Sequence, residues 1–181
     1  MSVVLLIAAM LSSAPQSPPV ALVAALPECK GQLSIGLDHE GGAFNGMSQS
    51  GVLLVVRNVG PAACKAPGLP ALTFQDAEGH SLDIQRKAPV GMHPGPVVLP
   101  VGLAAGAEAT AALHWVSGDV FDAHHCLTPA TVAVAAGGAP STLAWSGQLC
   151  GPAATVITYD QPVLRTDPVL STGTGAPTGQ Q

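Results

Sequence analysis

The chain has 181 residues, of which 48% are hydrophobic and 9% are charged, and its formal net charge is −5. A chain of this length accommodates one domain of ordinary size. Its six Lys and Arg residues are too few and too scattered to neutralise a row of phosphates, which argues against nucleic acid as a partner. The same scarcity of cations argues against binding to an anionic membrane surface, because such surfaces are recognised by clusters of about four or more cations.

The N-terminal part contains two short apolar segments, residues 3–11 and 18–26. Neither reaches the ~18 consecutive apolar residues of a membrane-spanning helix. With the small residues Val23-Ala24-Ala25 as a cleavage site, they predict a secretory signal peptide over residues 1–25, although no Lys or Arg precedes the first segment. An N-terminal strand is the alternative. A signal peptide implies an extracytoplasmic protein, secreted or periplasmic, with no transmembrane span in the mature chain.

Alternating apolar and polar residues, interrupted by Gly and Pro about every 8 to 12 positions, predict short strands along the next part of the chain. Residues 32–37 alternate, and residues 51–57 are apolar on both faces, as in a central strand. The polar, glycine-rich residues 38–50 between them predict a long loop. Residues 70–75 and 81–85 flank an Asp-Ala-Glu-Gly turn, which predicts a β-hairpin.

The second half of the chain continues this pattern. Further predicted strands are residues 97–100, 108–116, 130–135, 141–146 and 153–159. About nine strands in all predict an all-β fold, which we assign to an immunoglobulin-like antiparallel β-sandwich over residues 26–159. Beyond it, residues 160–181 contain prolines and a Thr- and Gly-rich run, and they predict a disordered tail.

Four cysteines, each more than twenty residues from the next, occur at Cys29, Cys64, Cys126 and Cys150. This spacing offers no close pair for a zinc site or a thioredoxin-like redox site. An even number of cysteines behind a signal peptide instead predicts two disulfides. Three connectivities are possible, and we favour pairing between sequence neighbours, Cys29 with Cys64 and Cys126 with Cys150.

A soft metal site is the sharpest chemical hypothesis that the sequence offers. Met92, His93, His124 and His125 supply the thioether and imidazole ligands that suit copper. Against this hypothesis, Cys126 is needed for a disulfide, and adjacent histidines on a strand point to opposite faces. We therefore expect structural or solvated histidines and no cofactor.

The sequence does not indicate catalytic residues. The serine cluster in residues 46–51 lacks the Gly-x-Ser-x-Gly pattern and precedes a strand rather than a helix. Paired carboxylates such as Asp119 and Asp122 lie in predicted turns, where Asp is favoured because it bonds the backbone. Trp115 and Trp145 each share a strand face with leucine, which predicts core positions rather than a sugar-stacking surface. We expect that the chain is not an enzyme.

Several landmarks occur in a characteristic order along the chain. They are Cys29 before a Leu-rich strand, Asn58-Val59-Gly60 before Cys64, Gly68-Leu69-Pro70, Asp76-Ala77-Glu78-Gly79, Leu113-His114-Trp115, and then Cys126 and Cys150. This order resembles the bacterial extracytoplasmic family called domain of unknown function 4232, from Cys29 to about Tyr159. The resemblance implies a secreted β-sandwich with local disulfides and implies no activity.

Two functional hypotheses follow. The favoured one is a non-catalytic exported domain of the cell envelope or a binding domain, in which loops such as residues 38–50 and 88–96 contact an unknown protein or envelope ligand. The alternative is a periplasmic copper-binding protein that uses Met92, His93, His124 and His125. Neither hypothesis identifies the ligand.

Overall fold

A computed structural model describes residues 20–88 and 97–166 of the chain. Met92, His93, residues 1–19 of the predicted signal peptide and residues 167–181 of the predicted tail lie outside the described residues. Within them the fold is all-β, as the sequence predicts, with one short α-helix and one 3-10 turn. No helix in this part of the chain is long and apolar enough to cross a membrane.

The described residues form more strands than the nine predicted. Helix α1 (Val20–Ala24) and strand β1 (Leu33–Asp38) precede the 3-10 turn at Glu40–Gly42. The later strands are β2 (Gln49–Asn58), β3 (Cys64–Ala66), β4 (Ala71–Gln75), β5 (Ile84–Arg86), β6 (Val101–Leu103), β7 (Glu108–Val116), β8 (His124–Leu127), β9 (Thr131–Ala135), β10 (Ser141–Ala144), β11 (Leu149–Pro152), β12 (Ile157–Asp160) and β13 (Arg165–Thr166). The unpredicted strands β3, β8, β11 and β13 have two to four residues, too few to show an alternating pattern. The predicted strand at 97–100 is wrong, because the strand there begins at Val101.

The larger sheet has the strand order β1-β2-β7-β12-β5, and β13 also pairs with β7. Its first three strands are antiparallel neighbours, and Val56 of β2 lies between Ile35 of β1 and Ala109 of β7. Strand β12 is antiparallel to β7 but parallel to β5. This edge corrects the prediction of a purely antiparallel sandwich. Parallel pairing is possible here because a long stretch of chain, not a tight turn, separates β5 from β12.

A three-stranded sheet, which we call the smaller sheet, has the order β10-β9-β4, and it contributes to the same hydrophobic core as the larger sheet. Strands β8 and β11, and strands β3 and β6, form two further sheets of two strands each. Alternate residues of β7 are buried, as the sequence pattern predicts. Phe74 of β4 makes edge contacts with Trp145 and Tyr159, at centroid distances of 4.8 and 5.2 Å. Burial of a side chain of this size contributes about 1.5–3 kcal/mol, so this shared core holds the two layers together.

The predicted hairpin between residues 70–75 and 81–85 is only partly correct. The turn forms, Leu82 N–H donates to Phe74 C=O at 2.8 Å, and Gln75 bridges Ser81. The two strands then separate, because β4 continues in the smaller sheet whereas β5 joins β12 in the larger sheet. The chain thus crosses between layers where the sequence predicted one sheet.

The predicted disulfide pairing is confirmed. Cys29 is bonded to Cys64, Cys126 is bonded to Cys150, and all four cysteines are consumed. The first disulfide ties the segment before β1 to β3, and the second joins opposite residues of β8 and β11. Bonds that close loops of this length restrict the unfolded chain by roughly 3–4 kcal/mol each. Two such bonds indicate an oxidising environment.

The N-terminal helix α1 packs on the domain. Val23 is 9% exposed and lies against Gly102 of β6, where an added Cβ would meet Val23 Cγ2 at 3.1 Å and Leu26 Cδ1 at 3.2 Å. Lys65 Nζ donates to Ala24 C=O at 2.8 Å. Part of the segment that the sequence assigns to the signal peptide therefore contacts the sandwich.

The folded part extends past residue 159, where the sequence analysis ended the domain. Leu164 is 5% exposed, and its N–H donates to Gly68 C=O at 2.7 Å. Strand β13 then pairs with residues 109 and 110 of β7. The predicted tail is wrong over residues 160–166, because one buried leucine and a two-residue strand leave no readable periodicity.

Candidate functional site

The described histidines of the copper hypothesis occupy neighbouring positions on β8, where successive side chains point to opposite faces. His124 is exposed, and its Nδ1 lies 2.9 Å from Asp119 Oδ1. His125 is half-buried, and its Nδ1 is buried without a hydrogen-bond partner among the described residues. The strand therefore separates these two imidazoles rather than directing both at one ion. Met92 and His93 lie outside the described residues.

A cluster that the sequence analysis did not single out lies in the turn between β4 and β5. Ligand atoms of Asp76, Glu78 and His80 lie within 4.8 Å of one another. Burial raises the pKa of Asp76, but hydrogen bonds from the His80 N–H, the His80 ring and the Glu78 N–H lower that pKa below its usual value. The Asp76 carboxylate is thus engaged in holding the turn. The Asp-x-Glu-x-His spacing is the signal by which the sequence could have shown this cluster.

A cleft of about 200 Å³ opens at one end of the sandwich, between the β1–β2 loop and the residues that follow β10. We call it the end cleft. Its lining residues are His39, Asn45, Ser50, Gly51, Trp115, Ser146 and Gly147. Three separate segments of the chain meet there. Polar side chains line most of the cleft, and Trp115, which is 5% exposed, belongs mainly to the core.

A tight turn after β1 fixes the position of His39. Asp38 Oδ1 accepts the N–H of Glu40 at 2.8 Å, and Gly42 N–H donates to His39 C=O at 2.7 Å. Glu40 adopts φ 47°, a left-handed conformation that is uncommon for a residue other than glycine. These bonds explain why the chain turns sharply at the mouth of the cleft.

Gly51 allows the rest of this loop to lie close to β7. A Cβ at this position would come within 2.7 Å of Leu113 O, 2.8 Å of His114 Nδ1 and 2.8 Å of Phe44 Cβ. Phe44 instead packs its ring edge against the ring of His114, with 5.6 Å between centroids. The absence of a side chain at Gly51 thus shapes one wall of the end cleft.

Two pairs of polar groups lie at the end cleft. Ser50 Oγ donates to Ser117 Oγ at 2.8 Å. The His39 Nε2 to Ser146 Oγ distance is 3.4 Å. The imidazole, amide and hydroxyl groups of His39, Asn45 and Ser146 can together offer hydrogen bonds to a small polar group.

A second cleft, of about 160 Å³, lies between β1 and the β9–β10 hairpin, and we call it the side cleft. Gly31 and Gly138 line it near the starts of β1 and β10, whereas His39 and Ser146 line the end cleft just after these strands. Strands β1 and β10 approach within 8 Å of each other between Cα atoms. We call the region where these two strands face each other the seam.

Sequence reasoning identified part of the end cleft. His39 and Asn45 belong to the loop 38–50 that it proposed as a contact region. Ser146 and Gly147 were not predicted as part of a site, because the pattern of residues 141–146 predicts one strand. The observed strand ends at Ala144, and the glycine at 147 with φ 101° is the signal that the chain turns there.

Comparison with known proteins identifies a family for most of the chain. The model of the family described as Domain of unknown function (DUF4232) matches residues 29–169. The match begins at the first disulfide cysteine and includes both clefts and the seam. No curated protein and no solved structure matches the chain.

Proposed function

The chain belongs to the DUF4232 family, and we propose that it is a non-catalytic binding domain that works outside the cytoplasm, in the cell envelope or in secreted form. The end cleft is the observation that carries this proposal. No activity defines this family, and a fold by itself does not indicate an activity. The support for a binding function is therefore the end cleft.

Two features support an extracytoplasmic location. Both disulfides join residues that the fold places next to each other, and such bonds persist in oxidising compartments. The apolar N-terminal sequence is typical of export signals. Loss of two bonds worth roughly 3–4 kcal/mol each would remove a large share of a net stability of about 5–15 kcal/mol, so such a domain benefits from an oxidising compartment.

The size and lining of the end cleft support binding of a small group. Binding sites for drug-sized ligands have volumes of about 300–1,000 Å³, so a cleft of about 200 Å³ suits one sugar ring or one side chain of a larger partner. Trp115 also lines the cleft, but it is 5% exposed and therefore adds little contact surface. His39, Asn45 and Ser146 supply hydrogen-bonding atoms around the cleft.

The hydrogen bonds of the site support a non-catalytic role. A serine nucleophile requires a base that a third group orients. Asp38 and Glu40 flank His39 in sequence, and the Asp38 carboxylate accepts the Glu40 N–H. Ser50 is bonded to the hydroxyl of Ser117 rather than to a base. These groups therefore stabilise loops.

Nuclear magnetic resonance titration tests the binding proposal. Isotope-labelled protein with intact disulfides is titrated with a panel of neutral monosaccharides and a panel of short peptides. We expect members of one panel to shift the amide signals of His39, Asn45 and Ser146. Ser146→Trp should block these shifts by filling the cleft. The control Thr73→Trp, at an exposed position of β4, should preserve them.

Two results would contradict the proposal. Shifts that are equally large in Ser146→Trp would place binding elsewhere. If no member of either panel shifts the amide signals, the cleft does not bind these groups. An activated-ester substrate tests the other half of the proposal. Hydrolysis that disappears in His39→Ala would identify a catalytic His39 and overturn the non-catalytic assignment.

A further inference from the structure

Strand β1 is an outer strand of the larger sheet, and in the described part of the chain its free edge is unpaired. Such edges offer a row of backbone N–H and C=O groups to any other strand. Proteins commonly protect them with a lysine, a proline or a bulge within the strand. The β1 sequence Leu-Ser-Ile-Gly-Leu-Asp contains none of these.

The register shows which backbone groups of β1 are free. Val59 N–H donates to Gln32 C=O at 2.9 Å, so Gln32 faces β2. Backbone groups alternate between the two sides in an antiparallel pair. Those of Leu33, Ile35 and Leu37 therefore point away from β2, to the free edge of the strand.

The side chains of two of these residues, Leu33 and Ile35, line the side cleft. Leu33, Ile35 and Leu37 pack on the core but remain only partly buried, as does Leu143 of β10 on the opposite side. Strands β1 and β10 approach within 8 Å between Cα atoms. The free edge of β1 thus combines an unpaired backbone with an incompletely covered apolar row.

We propose that this edge binds a second copy of the chain, with the two β1 strands antiparallel and centred on Ile35. In this register Leu33 of each copy faces Leu37 of the other. All three free residues then exchange backbone hydrogen bonds, and the larger sheet continues through both copies. The contact is isologous, as in closed two-fold dimers.

Charge supports a second copy as the occupant. The register brings Lys30 of each copy towards Glu40 of the other, and both residues are exposed. Neither forms an ion pair within the described residues. A strand that fits the edge must carry alternate apolar residues, an acidic end and a basic end, and β1 with its flanking residues meets this description.

The dimer would also complete the end cleft. Because the strands are antiparallel, the start of β1 in one copy lies beside the end of β1 in the other. Lys30 and Gln32 of the second copy then approach His39 at the mouth of the cleft. This consequence goes beyond the proposed binding function, and the dimer itself does not depend on that function.

Sedimentation velocity and amide hydrogen exchange test the dimer on the chain with both disulfides formed. We expect a monomer–dimer equilibrium and protection of the Leu33, Ile35 and Leu37 amides that rises with protein concentration. The amides of Thr142 and Ala144 on the free edge of β10 serve as an internal control, and their exchange should not depend on concentration.

Ile35→Pro removes the central donor from each copy, and we expect the dimer dissociation constant to rise about tenfold to a hundredfold, since two backbone hydrogen bonds are lost. The matched control is Thr142→Pro on the β10 edge, which should leave association unchanged. Lys30→Glu and Glu40→Lys should each weaken the dimer without disturbing the fold. The double variant should restore it.

A monomer at all concentrations would overturn the proposal. So would a dimer that dissociates in Thr142→Pro but not in Ile35→Pro, because that result places the interface on β10. Failure of the double charge reversal to restore association would exclude the Ile35-centred register. If the monomeric variants still show the cleft shifts described above, the binding function stands although the dimer fails.

Discussion

The indole rings of Trp115 and Trp145 lie 4.8 Å apart between centroids and are tilted by 48°, but their N–H groups have different environments. Trp115 Nε1 donates to Gln148 C=O at 2.9 Å. Trp145 Nε1 is buried and has no partner among the described residues. The ring pair therefore contains one donor that has a hydrogen-bond partner and one donor that has none among the described residues.

Replacing each tryptophan by phenylalanine separates these two contributions. Both changes remove a similar area of buried ring, but only Trp115→Phe loses a hydrogen bond. We expect Trp115→Phe to lower the free energy of unfolding by about 1–2 kcal/mol more than Trp145→Phe, since the latter also removes an unsatisfied buried donor. Denaturant unfolding with intact disulfides measures this difference. Equal losses would show that Trp145 has a hidden partner.

Asn58 is a buried polar residue that ties β2 to the segment after β6. It is 0% exposed, and its Nδ2 lies within 3.1 Å of three carbonyl oxygens, those of Ala62, Leu103 and Ala104. Its Oδ1 accepts the Gly60 N–H at 2.9 Å. The side-chain amide thus links the end of β2 to backbone carbonyls before β3 and at the end of β6.

Asn58→Asp keeps the shape of this side chain but removes its donors. A carboxylate would face three carbonyl oxygens in a buried position, so we expect a loss of about 3–5 kcal/mol in the free energy of unfolding at neutral pH. Asn45→Asp, at an exposed asparagine, is the matched control and should change stability by less than about 0.5 kcal/mol. Similar losses in both variants would contradict this account.

The sequence predicted the parts of the fold that local pattern determines. Residues 108–116 are a strand because every second side chain is buried, and Trp115 and Trp145 are core residues, as expected. The disulfide pairing followed from spacing. The local pattern does not show which strands pair with each other. Strand β5 follows a well-formed turn, yet it pairs with β12. This pairing depends on residues far away in the chain.

The end cleft shows the same limit at a site. His39, Trp115 and Ser146 lie in three segments, and no local pattern signals their meeting. The sequence showed Asn58 only as a landmark of the family resemblance, and its hydrogen bonds to residues 62, 103 and 104 were not predicted. Long-range hydrogen bonds of this kind are set by tertiary packing, so composition and periodicity do not show them.

Helix α1 gives a prediction about the start of the domain. Gly102→Val would place a side chain where Val23 and Leu26 now pack, so we expect α1 to detach while the disulfide-bonded sandwich stays folded. Limited proteolysis with mass spectrometry should then show faster cleavage within residues 20–26. Gly46→Val, at a glycine with space around it, is the control.

The same experiment decides how the N-terminal segment is used. If the exported chain begins at Leu26, as the signal-peptide prediction requires, α1 is removed and Gly102→Val has no effect on protease sensitivity. If the exported chain retains Val23, the helix belongs to the mature domain. Equal protection of residues 20–26 in wild type and variant, with Val23 present, would contradict the packing account.

Tyr159 links stability to alkaline pH. Burial raises its pKa above the ordinary value near 10, and the nearby positive charge of Arg86 offsets only part of this effect. Because the folded state holds the phenol proton more tightly than the unfolded state, this contribution to stability is complete below about pH 10 and is lost as pH rises through the folded pKa.

Tyr159 is the only tyrosine in the chain, so the ultraviolet absorbance of tyrosinate reports this group alone. We expect titration above pH 10 in the native protein and near pH 10 in denaturant, and a steeper alkaline loss of unfolding free energy in wild type than in Tyr159→Phe. A native titration at or below pH 10 would show that the phenol is solvated, and equal alkaline losses in the two proteins would assign them to other groups.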